Sequence, residues 1–172
     1  PTCVIADDHR MFRQAIRALL EDEGFNVLGE AEDGHEAVKL VARDSPQLAL
    51  LDYGMPKLNG SLAAAEILKR SPETQVVLLT MYEDETFALE AVKGGVRGYV
   101  LKQQAAQELV AALRQVLSGS IYLSPGISES VVTAMLSKKE QPSDLLTARE
   151  KQVLQLIAEG KTTKDIAALL HL

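Results

Sequence analysis

The sequence predicts an α/β protein built around a five-stranded, doubly wound parallel sheet. Short β-type runs alternate five times with segments that carry apolar residues at helical spacing, a pattern typical of a parallel sheet with helices on both faces. The central runs QLALL and QVVLL are almost continuously apolar, as expected for strands buried on both faces. Glycine and proline residues stand where one predicted element ends and the next begins.

Each predicted strand is followed by one predicted helix. The strands are the runs TCVIA, NVLGE, QLALL, QVVLLT and GYVL, at residues 2–6, 26–30, 47–51, 75–80 and 98–101. The helices are predicted at residues 8–22, 34–44, 60–70, 84–93 and 103–117. In the first of them, Phe12, Ile16 and Leu20 recur at the spacing that places side chains on one helix face.

This α/β domain is predicted to cover residues 1–118. A linker is predicted at residues 119–145, and its helix, at residues 127–136, follows Pro125 at a first-turn position. A separate all-helical unit is predicted at residues 146–172.

The boundary of that last unit rests on two signals. The polar stretch SKKEQPSD, at residues 137–144, is predicted to be a flexible joint. After it, Thr147 is placed as the N-cap of a helix at residues 148–159, and Glu150 stands at the third position of a capping box. A second helix is predicted at residues 163–170.

Composition and charge limit the classes of function. No apolar run is long enough to span a membrane. The first residues, PTCVIADD, have neither the basic start nor the long apolar core of a secretion leader, so we expect no secretion. Cys3 is the only cysteine, which fits a reducing compartment, so we expect a cytoplasmic protein with no membrane partner. The acidic excess behind the net charge of −6 lies in residues 1–146, which argues against nucleic acid as a ligand of the α/β domain.

Polar side chains follow four of the predicted strands. In an open parallel sheet, ligands bind at the carboxyl ends of the strands. The residues at those ends are Asp7 and Asp8 after the first strand, Asp52 after the third, Thr80 at the end of the fourth and Lys102 after the fifth. We therefore expect three carboxylates, one hydroxyl and one ammonium to meet at one edge of the sheet.

These groups suit phosphoryl transfer. Carboxylates held close together repel one another, and a hard divalent cation with oxygen ligands, Mg²⁺, compensates that repulsion. An aspartate can form a covalent acyl phosphate, and Asp52 is the best placed because it follows a buried apolar run and precedes the loop YGMP. Thr80 and Lys102 could contact the phosphoryl oxygens by a hydrogen bond and by charge.

Each residue alone has a simpler structural interpretation. An acidic pair after a strand is commonly a helix N-cap, a threonine often ends a strand, and a lone lysine at a sheet edge is usually solvated. The coincidence of all of them at one edge favours a functional site.

The motifs ADD, LLDYGMPKLNG, LLTM and GYVLK resemble the receiver domain of bacterial two-component response regulators, in order and spacing, from residue 2 to about residue 118. The resemblance implies a flavodoxin-like fold and phosphorylation of Asp52 by a sensor histidine kinase. It also implies that Asp7, Asp8, Asp52 and the backbone carbonyl of Gly54 hold Mg²⁺.

The resemblance assigns further roles near the phosphoryl group. It implies that Thr80 and Lys102 contact that group, and that Tyr99 is the switch aromatic, which turns inward as Thr80 moves toward the phosphate. The alternative for Tyr99 is an exposed tyrosine that packs on the fourth helix. Tyr53 and Gln103 depart from the usual family pattern, but neither departure removes a reacting group.

Residues 146–172 resemble the start of the LuxR-type helix-turn-helix of the NarL/FixJ branch, and YLSP at residues 122–125 resembles the linker motif of that branch. The helix at residues 163–170 corresponds to the bracing helix, so the recognition helix is expected beyond Leu172. The resemblance implies a homodimer on phosphorylation, and DNA binding only in the full-length form.

Alternative functions stay open at this point. The chain is either a phosphorylation-switched transcription regulator or a stand-alone switch that binds protein partners without binding DNA. A phosphohydrolase with an aspartate nucleophile is a third class. It would need a second aspartate two residues after the nucleophile, where this chain has Gly54.

Overall fold

The structure is a computed structural model that describes residues 1–136, 148–158 and 160–169. The chain divides into two compact units, Pro1–Lys138 and Lys139–Leu172. The predicted flexible stretch at residues 137–144 and the predicted N-cap Thr147 lie outside the described residues. In the described part of the chain, no helix combines the length and the apolar character needed to cross a membrane.

The first unit alternates strands and helices along its length. Its elements are β1 (Thr2–Ala6), α1 (Arg10–Asp22), β2 (Asn26–Ala31), α2 (Gly34–Asp44), β3 (Leu48–Asp52), α3 (Gly60–Arg70), β4 (Gln75–Thr80), α4 (Glu85–Lys93), β5 (Gly98–Leu101), α5 (Ala105–Leu117), β6 (Tyr122–Leu123) and α6 (Pro125–Leu136). The five predicted strands and the α/β fold class are confirmed. The structure adds a sixth strand, β6, from a segment that the sequence analysis placed in the linker.

The sheet is parallel, with the strand order β2-β1-β3-β4-β5-β6. From β1 the chain runs out to β2 and returns past β1 to β3, so the strand order reverses beside β1, the place where open α/β sheets bind ligands. The register pairs Asp52 with Leu79, and Thr80 with Leu101. Asp52, Thr80 and Lys102, which follows Leu101, therefore lie at the same edge.

Apolar side chains alternate between the two faces of the sheet. In β1, Val4 and Ala6 join the buried cluster beneath α2, α3, α4 and α6. Cys3 and Ile5 join the cluster beneath α1 and α5 on the opposite face. Because strands direct successive side chains to opposite faces, helices cover both sides, as the doubly wound prediction requires.

Several predicted boundaries shift by one or two residues, and three of these shifts lie beside the acidic edge. Helix α1 begins at Arg10 and not at residue 8, because the backbone of His9 is extended and its N–H donates to Oδ1 of Asp7 (2.8 Å). Strand β3 includes Asp52, which pairs with Leu79 on β4. Helix α5 begins at Ala105, after a turn in which the N–H of Gln104 donates to the carbonyl of Leu101 (2.9 Å).

The predicted linker helix is folded onto the first unit. Helix α6 begins at Pro125, whose fixed φ and missing N–H suit a first-turn position. Ile127 and Val131, only 1% and 2% exposed, belong to the buried cluster that contains Ala88 and Ala91 of α4. The predicted division of the chain near residues 118 and 145 stays a prediction.

The second unit contains α7 (Ala148–Ala158) and α8 (Thr163–Leu169). Leu156 and Ile166 are buried together, and Val153 packs against them. The hydroxyl of Thr162 donates to the Asp165 carboxylate (2.6 Å), and the Asp165 N–H donates back to Oγ1 of Thr162 (3.3 Å). This reciprocal pair caps α8.

Replacing Gly60 by alanine is expected to destabilise the first unit. An added Cβ would lie 2.2 Å from the backbone oxygen of Asp52, and a backbone atom cannot move aside at low cost. We expect Gly60→Ala to lower the free energy of unfolding by roughly 1–3 kcal/mol, measured by urea denaturation. A Cβ at Gly126 has no neighbour within 4 Å, so Gly126→Ala should match or slightly exceed the wild type. Equal midpoints for the two variants would contradict this account.

Candidate phosphoryl-transfer site

Two carboxylates lie buried at the carboxyl edge of the sheet. Asp7 follows β1 and is fully buried, and Asp52 ends the adjacent strand β3 and is 5% exposed. Asp8 follows Asp7 and is more accessible, with 35% of its side chain exposed. One ligand atom from each of Asp7, Asp8, His9 and Asp52 lies within 4.8 Å of all the others. The structure thus brings together the three carboxylates named from the sequence.

Lys102 places one positive charge between the two buried carboxylates. Its Nζ lies 2.8 Å from Oδ2 of Asp7 and 3.0 Å from Oδ2 of Asp52. The lysine side chain is 8% exposed, and Nζ stands 4.8 Å from the centre of the Phe12 ring on α1. The ammonium is therefore held by two carboxylates and by a cation–π contact in a region with little water.

The environment of Asp52 disfavours its charge. Burial raises the pKa of Asp52, and the neighbouring charge of Asp7 acts in the same direction. The hydrogen bond from Lys102 and the N–H of Gly54, which donates to Oδ1 at 3.3 Å, oppose that rise in pKa. The ionised form thus depends on cationic groups and donors around it.

The loop after β3 is tied to the sheet by backbone contacts. The N–H of Gly60 donates to the carbonyl of Tyr53 (3.0 Å), and the N–H of Gly34 donates to the carbonyl of Leu58 (3.2 Å).

Lys57, in the same loop and at a left-handed φ of 63°, pairs with Asp33 through Nζ and Oδ2 (2.5 Å). Burial opposes ionisation of Asp33, but the hydrogen bonds from Lys57 and from the Glu36 N–H hold its pKa below the usual value. The loop that follows Asp52 is therefore anchored at several points.

Arg13 fixes the backbone at the acidic edge, a role that the sequence analysis did not assign. This α1 residue is 6% exposed, and its Nη1 donates to the backbone carbonyl of Asp7 (2.5 Å). Its Nε donates to Glu30 (2.9 Å) and its Nη2 donates to Glu32 (3.0 Å). The guanidinium thus joins α1 to the ends of β1 and β2. The position of an arginine on the buried face of the first helix is a sequence signal that could have indicated it.

The groups of the predicted switch lie on the next two strands. Thr80 is 1% exposed, and its hydroxyl oxygen accepts the N–H of Tyr82 (3.1 Å). Tyr99 is fully buried in the same cluster as Ile127 of α6, and burial raises its pKa to about 12. The alternative of an exposed Tyr99 is therefore wrong. Its switching role stays a prediction.

Tyr53 and His9 also lie near the site. Tyr53, next to Asp52, packs against Phe87 of α4 with ring centroids 5.4 Å apart and an interplanar angle of 40°. His9, 72% exposed, has its Nδ1 2.9 Å from Oδ1 of Asp8 and 3.3 Å from Oδ1 of Asp7. The tyrosine connects the loop after Asp52 to α4, and the histidine lies at the open side of the acidic group.

The donor set fits a hard divalent cation. Asp7, Asp8 and Asp52 offer carboxylate oxygens close enough to share one ion, and Asp8 leaves the group open to solvent. Oxygen ligands with retained water are the environment that Mg²⁺ prefers. A single ammonium cannot balance three carboxylates, so the site can accept additional positive charge.

Comparisons with known proteins agree with this geometry. Residues 3–114 match the family model of the response regulator receiver domain, and residues 144–172 match that of the bacterial regulatory proteins of the luxR family. The transcriptional regulatory protein DegU of Brevibacillus brevis is 32% identical over 187 residues, which cover 98% of this chain and 79% of that protein.

Many solved structures are similar to the chain, including the following two. A LuxR-family two-component response regulator from Aurantimonas sp. SI85-9A1 has a TM-score of 0.75 and 30% identity, over 78% of this chain and 97% of that one. A structure of two RcsB dimers bound to two parallel DNAs has a TM-score of 0.70 and 26% identity, over 99% of this chain and 82% of that one.

The fold and its acidic edge therefore define a signalling protein of the receiver class, joined to a LuxR-type helix-turn-helix segment. The chain belongs to the two-component response regulators of the NarL/FixJ family, a family of transcription regulators.

Arg13 is expected to contribute much more stability than its neighbour on the same helix, Arg17. Removing the buried guanidinium in Arg13→Ala leaves the Asp7 carbonyl and the Glu30 carboxylate without a donor that they now have, and we expect a loss of roughly 3 kcal/mol. Arg17, 41% exposed, pairs with Glu21 and Glu30, and Arg17→Ala should cost about 1 kcal/mol or less. Urea denaturation of both variants measures the difference, and similar losses would argue against the assignment of Arg13 as the residue that fixes the acidic edge.

Proposed function

We propose that this protein is a response regulator that a sensor histidine kinase phosphorylates on Asp52 in the presence of Mg²⁺, and that it controls transcription in its full-length form. The observation that carries the proposal is the Lys102 ammonium, which bridges the buried carboxylates of Asp7 and Asp52 at the switch point of the sheet. Its location is cytoplasmic, and it acts as a signalling protein that assists its own phosphorylation and dephosphorylation.

The proposed reaction uses the side chain of Asp52 as the nucleophile. A carboxylate oxygen attacks the phosphorus of the phosphohistidine, the phosphorus–nitrogen bond breaks, and its electron pair stays on the imidazole. Lys102, already beside this carboxylate, pairs with the phosphoryl oxygens, and the Thr80 hydroxyl donates to one of them. Both groups therefore act at the atoms where negative charge is transferred.

Asp7, Asp8, Asp52 and the backbone carbonyl of Gly54 would hold the magnesium ion. When bound, Mg²⁺ supplies positive charge that neutralises the carboxylates and the phosphoryl oxygens. The buried position of Asp7 keeps its carboxylate directed at this edge, since Lys102 and the His9 N–H hold its two oxygens. Asp8, with its greater exposure, provides the side from which an ion and a phosphodonor enter.

The proposed output follows from β4 and β5. Phosphorylation adds charge at Asp52 and draws Thr80 toward the phosphate, and the buried position of Tyr99 is favoured in that state. The regulator then dimerises, and a recognition helix that follows Thr163–Leu169 in the full-length form reads the DNA. The LuxR-type match and the DNA-bound dimers of RcsB support this output over a stand-alone switch that binds only proteins.

Phosphorylation is expected to depend on the carboxylate of Asp52. Incubation with acetyl phosphate and Mg²⁺ should label the wild type once per chain, because Asp52 is the carboxylate next to Lys102 and the anchored loop. Asp52→Asn should abolish the label in intact mass measurements, while Asp44→Asn, at an exposed pair with Arg43 on α2, should label normally. Labelling of Asp52→Asn at the wild-type stoichiometry would refute the assignment.

Magnesium binding is expected to depend on Asp8. Asp8→Asn removes one charge from the acidic group without creating a cavity, so Mg²⁺ affinity should fall by roughly tenfold or more in isothermal titration. The unfolding midpoint in the absence of metal should change little, since the Asp8 side chain is partly exposed. Asp44→Asn again serves as the charge-matched control, and unchanged affinity in Asp8→Asn would remove this residue from the site.

A further inference from the structure

Ser124 occupies the junction between β6 and α6, and it is fully buried. Its backbone N–H donates to the carbonyl of Tyr99 (3.0 Å), and its hydroxyl oxygen accepts the N–H of Leu101 (3.1 Å). The hydroxyl itself donates to Oε2 of Glu108 on α5 (3.1 Å). One side chain therefore extends the hydrogen bonding of β5 beyond the two-residue strand β6 and fixes that edge to α5.

Glu108 holds the linker segment at a second point. The hydroxyl of Tyr122 also donates to Oε2 of Glu108 (2.9 Å). Burial raises the pKa of Tyr122 to about 12, and the bond to Glu108 acts in the same direction, so the hydroxyl stays a donor at neutral pH. Tyr122 and Ser124 are two residues apart and reach the same carboxylate, whereas Leu123 between them packs in the cluster on the opposite face.

The same serine starts helix α6. Its carbonyl accepts the N–H groups of Ile127 (2.9 Å) and Ser128 (3.1 Å), which form the first turn. Ile127 then packs in the buried cluster that contains Tyr99. Strand β5, which carries Tyr99, and helix α6 are thus joined twice, by hydrogen bonds at Ser124 and by a shared apolar cluster.

We propose that Ser124 and Glu108 form a joint that couples the position of β5 to the packing of α6 against the sheet. A shift of β5 would separate the Leu101 N–H from the Ser124 hydroxyl and leave a buried donor unpaired, so strand and helix move together. The inference rests on the proposed function, because in that proposal the phosphorylation of Asp52 determines the position of β5. Ser124 is a positioning residue that acts through β5 and touches no reacting atom.

Hydrogen exchange by mass spectrometry on the full chain tests the joint, alongside the intact mass that reports phosphorylation. In the wild type, acetyl phosphate with Mg²⁺ should slow amide exchange across residues 125–136. Phosphorylation favours the buried position of Tyr99, and α6 packs in the same buried cluster as Tyr99. In Ser124→Ala, Asp52 should be phosphorylated to the same extent. The amides of α6 should exchange at least about tenfold faster, because the variant loses both the bond from the Leu101 N–H and the bond to the Glu108 carboxylate, and they should no longer respond to phosphorylation.

Matched variants separate the joint from a general loss of structure. Glu108→Leu removes the acceptor from a partly exposed position and should reproduce the effect, whereas Glu108→Gln keeps an acceptor oxygen and should behave as the wild type. Ser128→Ala removes a hydroxyl that donates to the Pro125 carbonyl within the same helix, and it should retain the response.

The outcomes distinguish the joint from the proposed function. A wild type that is not labelled on Asp52 refutes the proposed function. A labelled wild type whose α6 exchange does not change refutes the joint alone. A Ser124→Ala protein that keeps the wild-type response, or that loses phosphorylation itself, refutes the joint as well.

Discussion

Two carboxylates buried side by side would repel each other strongly, and Lys102 supplies the charge that allows Asp7 and Asp52 to stay there. The bridge depends on the sheet, because Asp7 follows β1, Asp52 ends β3 and Lys102 follows β5. A change in the strand order or a register slip would move one partner away from this edge. The fold and the charge balance of the site are therefore one constraint.

The surrounding structure restricts how this edge can move. Arg13 holds the backbone of Asp7 from the α1 side, and the loop after Asp52 is closed by Gly60, where no side chain fits. On the other side, Tyr53 reaches α4 through Phe87. The side of the edge next to β1 is thus anchored by several contacts, and the contact to α4 links the loop after Asp52 to the face that carries α6.

Strand β5 has two neighbours of different kinds. Its inner side pairs with β4, which ends in Thr80, and its outer side pairs with β6, which leads into α6. The strand thus lies between the groups that would contact a phosphate and the segment that leads into helix α6. This placement gives a short physical route from the carboxyl edge of the sheet to α6, through hydrogen bonds and one apolar cluster.

The sequence determined the five main strands, their helices and the residues at the carboxyl edge, because strand periodicity, helix periodicity and glycine or proline boundaries are local signals. Asp7, Asp52, Thr80 and Lys102 could be named because each directly follows or ends an apolar run.

Tertiary structure alone decided the contacts between distant segments. The sixth strand has only two residues and forms because β5 offers it an edge. Arg13 and Ser124 form their networks with partners on other elements, and no periodic pattern names those partners. The sequence therefore named the polar groups at the carboxyl edge, whereas the packing of β5, β6 and α6 decided how that edge is joined to the linker, since this connection depends on side chains brought together only by folding.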